Sequence, residues 1–125
     1  MRGPGKEITA MGTENSAPEV RNLKQMLQYQ EKAVVSRMLL KNSAGNVTLF
    51  AFDGNEGLSE HAAPYDALVI GVEGRAEIPV GGVSHTLGEG DSLLLPANIP
   101  HAVNPVGGFK MLLIMIRGMG QQESA

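Results

Sequence analysis

The groups able to do chemistry in this chain are few: three histidines, two tyrosines, thirteen carboxylates and no cysteine. Without cysteine there are no disulfides, thiolate metal sites or cysteine nucleophiles. Two histidines, His61 and His101, frame the central stretch 58–103. Imidazole exchanges protons near neutrality and ligates divalent metals through either ring nitrogen. Residues two apart on a strand point the same way, which puts Tyr65 on the face of His61, Ala63 and Ala67 and turns Asp66 away. Pro64 can shift that register, so Asp66 stays in view, and Glu60 needs a bulge to turn inward. His85 shares a face with Val83 and Leu87 and reads as a packed or rim histidine.

Other arrangements are weaker. Ser59-Glu60-His61 contains hydrolase residue types, but neighbours on a strand point apart and no strand–turn–helix elbow is present. Gly81-Gly82 and Gly88-Glu89-Gly90 are turns; no helix follows them to hold a phosphate at its N-terminus. Asp53 and Asp91 lie in turn sequences, where carboxylates bond to backbone amides.

The elements around these residues are short strands and tight turns. Residues 33–41 and 47–52 form a hairpin, with Val34, Ser36, Met38 and Leu40 expected on one face. Residues 68–73 are apolar on both faces, whereas 75–80 alternate, with Ala76, Ile78 and Val80 facing in. Pro79 cannot donate to a ladder, so its strand lies at an edge or ends there. Gly81-Gly82 makes a two-residue hairpin, and residues 109–117 form a last strand, apolar on both faces. Eight or so strands and no long helix make the class all-β. Leu23, Met26 and Leu27 recur at helical spacing behind an Asn22 cap, predicting one or two helical turns over 22–29.

A chain of 125 residues, 42% apolar, suits one domain with one core. Three regions are expected: a flexible tail at 1–20, a β-barrel domain at 21–118 centred on 57–104, and a flexible C-terminal tail at 119–125. The net charge of −3 without a basic stripe argues against nucleic acid as partner. No apolar run is long enough for a membrane-spanning helix and the N-terminus lacks a secretory signal, so a soluble cytoplasmic protein is expected. Strands apolar on both faces have two explanations: the N-terminal segment covers them, or a homodimer buries one sheet. The homodimer is the preferred one.

The stretch also resembles a known family. Gly90, five residues, Pro96, one residue, Asn98, two residues and His101 resemble the second conserved motif of the cupins, with Asn98 in place of a glycine. Asparagine, like glycine, tolerates positive φ. His61 and Gly74 match the first and last positions of the first motif, while Ala63 stands for its second histidine and Ala67 for its glutamate. The resemblance covers about residues 33–116 and implies a small single-domain jelly-roll barrel (a double-stranded β-helix), commonly dimeric.

In metal-binding cupins three histidines and a glutamate converge on one divalent metal. Here His61 and His101 are retained and two ligand positions are alanines. Structural and catalytic sites normally use at least three protein ligands. The leading expectation is therefore a barrel that binds a small polar metabolite in a pocket of His61, Tyr65 and His101, with no certain cofactor. The alternative is a metal-dependent enzyme of isomerase, lyase or dioxygenase type, with His61 and His101 joined by a third ligand on iron, manganese, nickel or zinc. A structural dimer with a vestigial pocket comes third.

Overall fold

The computed structural model describes residues 8–13, as backbone only, and residues 17–118. Eight strands account for most of it: β1 (Ile8–Thr13), β2 (Val34–Asn42), β3 (Gly45–Phe52), β4 (Leu58–His61), β5 (Asp66–Val80), β6 (Val83–Leu87), β7 (Ser92–Leu95) and β8 (His101–Ile116). The fold is a jelly-roll β barrel, as the sequence predicts. No helix among the described residues is long and apolar enough to cross a membrane.

Two long antiparallel strands, β5 and β8, organise it. They pair from Asp66↔Ile116 to Val80↔His101, with register shifts between Gly71 and Arg75. Their first and second legs belong to different layers. Asp66 to Ile70 and the C-terminal half of β8 lie with β1, β2, β3 and β7, whereas Ala76 to Val80 and the N-terminal half of β8 lie with β4 and β6. Side chains from both layers share one core, including Val69, Met111, Ile78, Val103 and Leu87. The layers therefore face each other, and the free ends of both long strands lie at one open end. Gly74 sits at the bend with φ +74°, where an added Cβ would lie 2.1 Å from the carbonyl oxygen of Gly108. Only glycine fits that approach. The sequence suggested separate strands on either side of Gly74; one bent strand is found.

The interior is aromatic. Phe50 stacks on Phe52 at 6.0 Å between ring centroids, and Phe52 on Phe109 at 5.7 Å. Phe52 and Phe109 are wholly buried. Each such ring contributes about 1.5–3 kcal/mol through removal from water. The rings fill the barrel next to the bend and leave the open end to other residues.

The outer face of the larger layer carries a second cluster: Val35, Leu49, Ala51 and Val72, covered by Leu23, Met26 and Leu27 of a strap over residues 22–30. The Asn22 cap is present, its side chain accepting from the Lys24 amide at 2.9 Å, but the helix is one short 3-10 turn (Leu23–Gln25). Two buried or half-buried cations fasten the strap. Arg37 Nη1 donates to the Met26 carbonyl at 3.0 Å and Lys110 Nζ to the Lys24 carbonyl at 2.5 Å. Lys110 also lies 4.9 Å from the centroid of the Tyr29 ring and 4.0 Å from Glu73. The Tyr29 hydroxyl donates to Glu73 at 2.5 Å. Partial burial and the Glu73 carboxylate hold this phenol well above its ordinary pKa, so it keeps its proton.

Two expectations need correction and one lies beyond the described residues. Residues 8–13 of the expected tail run as β1, parallel to β2, because the open edge of β2 offers a ladder to a threonine- and isoleucine-containing segment. The tail expected over 119–125 lies outside the described residues, as do 1–7 and 14–16. Leu40 does not share the face of Val34: a bulge between Met38 and Leu40 turns it outward, opposite Val47.

Candidate functional site

His61 ends β4 and His101 begins β8, and the two are paired directly across the ladder. Paired residues point to one face. Their rings meet edge to face with centroids 4.5 Å apart. His101 is buried and His61 exposed, so the pair spans the step from the core to solvent at the open end of the barrel. A register shift between Leu58 and His61 makes this alignment: Leu58 faces Val103 and, with one extra residue on β4, His61 faces His101.

Both rings are oriented by the backbone two residues earlier. His61 Nδ1 lies 2.8 Å from the Ser59 carbonyl oxygen and His101 Nδ1 3.2 Å from that of Ile99. A carbonyl only accepts, so each Nδ1 carries a proton, and in the neutral ring Nε2 keeps its lone pair. Neither Nε2 bonds to another described residue. Burial pushes the His101 pKa below its ordinary value; the Ile99 carbonyl opposes that shift and the charge of His61 reinforces it. His101 is neutral at neutral pH.

The loops on either side hold the pair in place. The Asn98 amide donates to the Ala63 carbonyl at 2.6 Å, and Asn98 adopts φ +65°, the conformation for which glycine or asparagine is expected there. Asp66 points away from the histidines and caps the neighbouring loop, accepting from the Ala97 amide at 2.9 Å. Ala67 is on the core face, opposite Leu95 and Met115. Asp53 accepts from the amides of Lys32 and Asn55, and Asp91 from that of Gly88, the turn roles read from sequence.

Tyr65 is half-buried just before β5, with the Arg117 guanidinium 5.2 Å from its ring centroid. No hydrogen bond or ring contact joins it to either histidine among the described residues. His85 pairs with Ile78, a wholly buried residue, and so faces inward from β6. Two neighbours escaped the sequence reading. Val80 pairs with both His101 and Val83, which places Val83, Val80, His101 and His61 on one rung of one face. The Gly81-Gly82 loop was the available signal, since a two-residue hairpin fixes which residues oppose each other.

The donor set does not fit the four-ligand metal centre of metal-binding cupins. Two imidazole nitrogens are offered, and the remaining positions, Ala63 and Ala67, supply only methyl groups. Among the described residues no group of three or more histidines and carboxylates stands close enough to hold a metal ion. A surface cavity of about 380 Å³, lined by Val20, Arg21, Asn22, Gln25, Met26 and Arg37, lies by the strap and not at the histidines.

Comparison with known proteins supports the same architecture. No curated protein matches the chain. A conserved protein of unknown function from Streptococcus pyogenes superposes with a TM-score of 0.77 at 30% identity, over 82% of this chain and 90% of that one. A cupin superfamily protein from Desulfitobacterium hafniense gives 0.76 at 30% identity, over 81% and 94%. A cupin 2 conserved barrel domain protein from Leptotrichia buccalis gives 0.74 at 40% identity, over 78% of this chain and 47% of that one. The family model of the cupin domain matches residues 48–117, a span that holds β4 to β8 and both paired histidines. With the bend at Gly74 and the left-handed Asn98 before His101, these matches establish that the chain belongs to the cupin family.

Proposed function

We propose that this cupin binds a small polar metabolite at the open end of its barrel through His61 and His101, without a metal held on the four-ligand pattern. The observation that carries this reading is the pair itself: two rings 4.5 Å apart, each with Nδ1 committed to a backbone carbonyl and Nε2 left for a ligand. A few oriented polar groups beside apolar walls are what small-molecule sites require. Tyr65 is assigned to the same opening, because the bond from the Asn98 amide to the Ala63 carbonyl ties the loop before His101 to the connection that carries Tyr65.

Metal analysis of the untagged protein tests the proposal. Protein reconstituted with iron, manganese, nickel or zinc at neutral pH is expected to retain no stoichiometric metal after dialysis. A stoichiometric metal that is lost in His61→Ala or His101→Ala would replace this reading with the metal-dependent enzyme. Such metal would require a third ligand from outside the described residues or from the substrate.

The partner is proposed to be a second copy of the chain. Leu40, Val47, Ile114, Leu68 and Leu94 form one unbroken aliphatic row across β2, β3, β8, β5 and β7 on the outer face. The strap covers the neighbouring Leu49 and Leu112, while the ends of the row, Leu40 and Leu94, are 49% and 56% exposed. Contiguous apolar surface of this kind is characteristic of homo-oligomer interfaces.

A further inference from the structure

We infer that the site at the histidine pair selects an amphipathic molecule with hydrogen-bond donors at one end and an apolar portion at the other, and that Val83 and Ile99 set the apolar preference. The inference rests on the proposal that His61 and His101 are the binding centre, and extends it to ligand class.

The polar half follows from tautomer geometry. With both Nδ1 protons given to carbonyls, the two Nε2 atoms are acceptors. Two adjacent acceptors complement a pair of donors, such as vicinal hydroxyls. A carboxylate, which only accepts, finds no donor on either ring in this state.

The apolar half follows from the rung. His61, His101, Val80 and Val83 lie side by side on β4, β8, β5 and β6, facing one way. At about 4.8 Å between neighbouring strands, the row extends over roughly 14 Å. One half is imidazole and the other valine. Ile99, in the loop before His101, leans on the hairpin that carries this row: a Cβ added to Gly81 would lie 3.2 Å from Ile99 Cγ2. The Gly81 amide donates to the Pro100 carbonyl at 2.8 Å, which fixes loop to hairpin. Val83 is 60% exposed and Ile99 37%, so neither is needed for the core and both remain able to cover a ligand. Single exposed aliphatics are ordinary; Val83 here shares a rung with the histidine pair, and Ile99 sits on the loop fastened to the same hairpin.

The test uses the full chain labelled with nitrogen-15 in histidine, and three probes: 1,2-octanediol, glycerol and octanoate. 1,2-Octanediol is expected to shift the Nε2 resonances of His61 and His101, with a Kd at least about tenfold below those of the other two probes. Val83→Thr and Ile99→Thr should each weaken the diol about tenfold, the loss expected for one covered apolar side chain, and leave glycerol unchanged. Unchanged amide spectra verify that both surface variants fold. If diol and glycerol bind alike, if octanoate binds best, or if both variants are indifferent, the inference is overturned while the histidine-centred site stands. If no probe moves either imidazole, the histidine-centred site fails as well.

Discussion

The amide of Asn98 donates to the carbonyl of Ala63 at 2.6 Å. That bond joins the loop preceding His101 to the loop following His61, so the two imidazoles are held from both sides and not only through the ladder between β4 and β8. Asn98 makes this geometry at φ +65°, where a β-branched residue would be strained. Asn98→Val is therefore expected to loosen the loop, weaken ligand binding and cost stability of about 1–2 kcal/mol. Calorimetry alongside the probe titrations checks it; a variant equal to the parent in both would remove the loop from the account.

The pH dependence of stability has a fixed sign. The His101 pKa is lowered by burial, so the unfolded chain binds a proton more readily than the folded one. The contribution of neutral His101 is complete above its unfolded pKa near 6.5 and is lost as pH falls from there through the lower folded value. Thermal midpoints should decline across that window, and the decline should be shallower in His101→Asn. A variant that retains the full decline would assign it to other groups.

The aromatic stack carries much of the core. Phe52→Ala removes a wholly buried ring between two others and should cost about 3–5 kcal/mol in denaturant unfolding. A cost below about 1 kcal/mol would mean that the stack is not packed as described.

The strap is expected to open separately from the barrel. Tyr29→Phe deletes the bond to Glu73 while keeping the ring over Lys110, for a loss of about 1 kcal/mol. Amide exchange should quicken over residues 22–30 and stay slow along β8. Uniform acceleration of both would show that strap and barrel unfold together.

The aliphatic row predicts the oligomeric state. Ile114→Glu places a charge at its centre, between Val47 and Leu68. Light scattering should report a shift from dimer to monomer, or the protein should precipitate. A soluble variant with the parent's mass would exclude this face as the interface.

Much of the fold can be read from the residues because it rests on local chemistry. Gly81-Gly82 makes its hairpin, the alternation of Ala76, Ile78 and Val80 faces the core, and Asn22 caps the turn where expected. The meeting of His61 with His101 could be anticipated from the cupin resemblance, and Asn98 takes the backbone conformation its place in the motif demands. What escaped depends on long-range register. The bulges at Leu39 and in β4 reassign faces, and no local signal in the sequence marks them. Nothing local in the sequence marks Lys110 for burial. It is buried because its ammonium finds Tyr29, Glu73 and a strap carbonyl brought from 86 residues away. Tyr65, grouped with the histidines by alternation, makes its ring contact with Arg117, because residues 62–65 form a connection between strands.

The central claim is that His61 and His101 present two lone-pair nitrogens side by side at the barrel opening. Long-range proton–nitrogen spectra of the histidine-labelled protein, taken above neutral pH, measure this directly. Both rings should show a protonated Nδ1 and an unprotonated, pyridine-type Nε2, with Nε2 of both responding when a ligand is added. Protonated Nε2 on both rings, or a ligand that binds without moving either nitrogen, would contradict it.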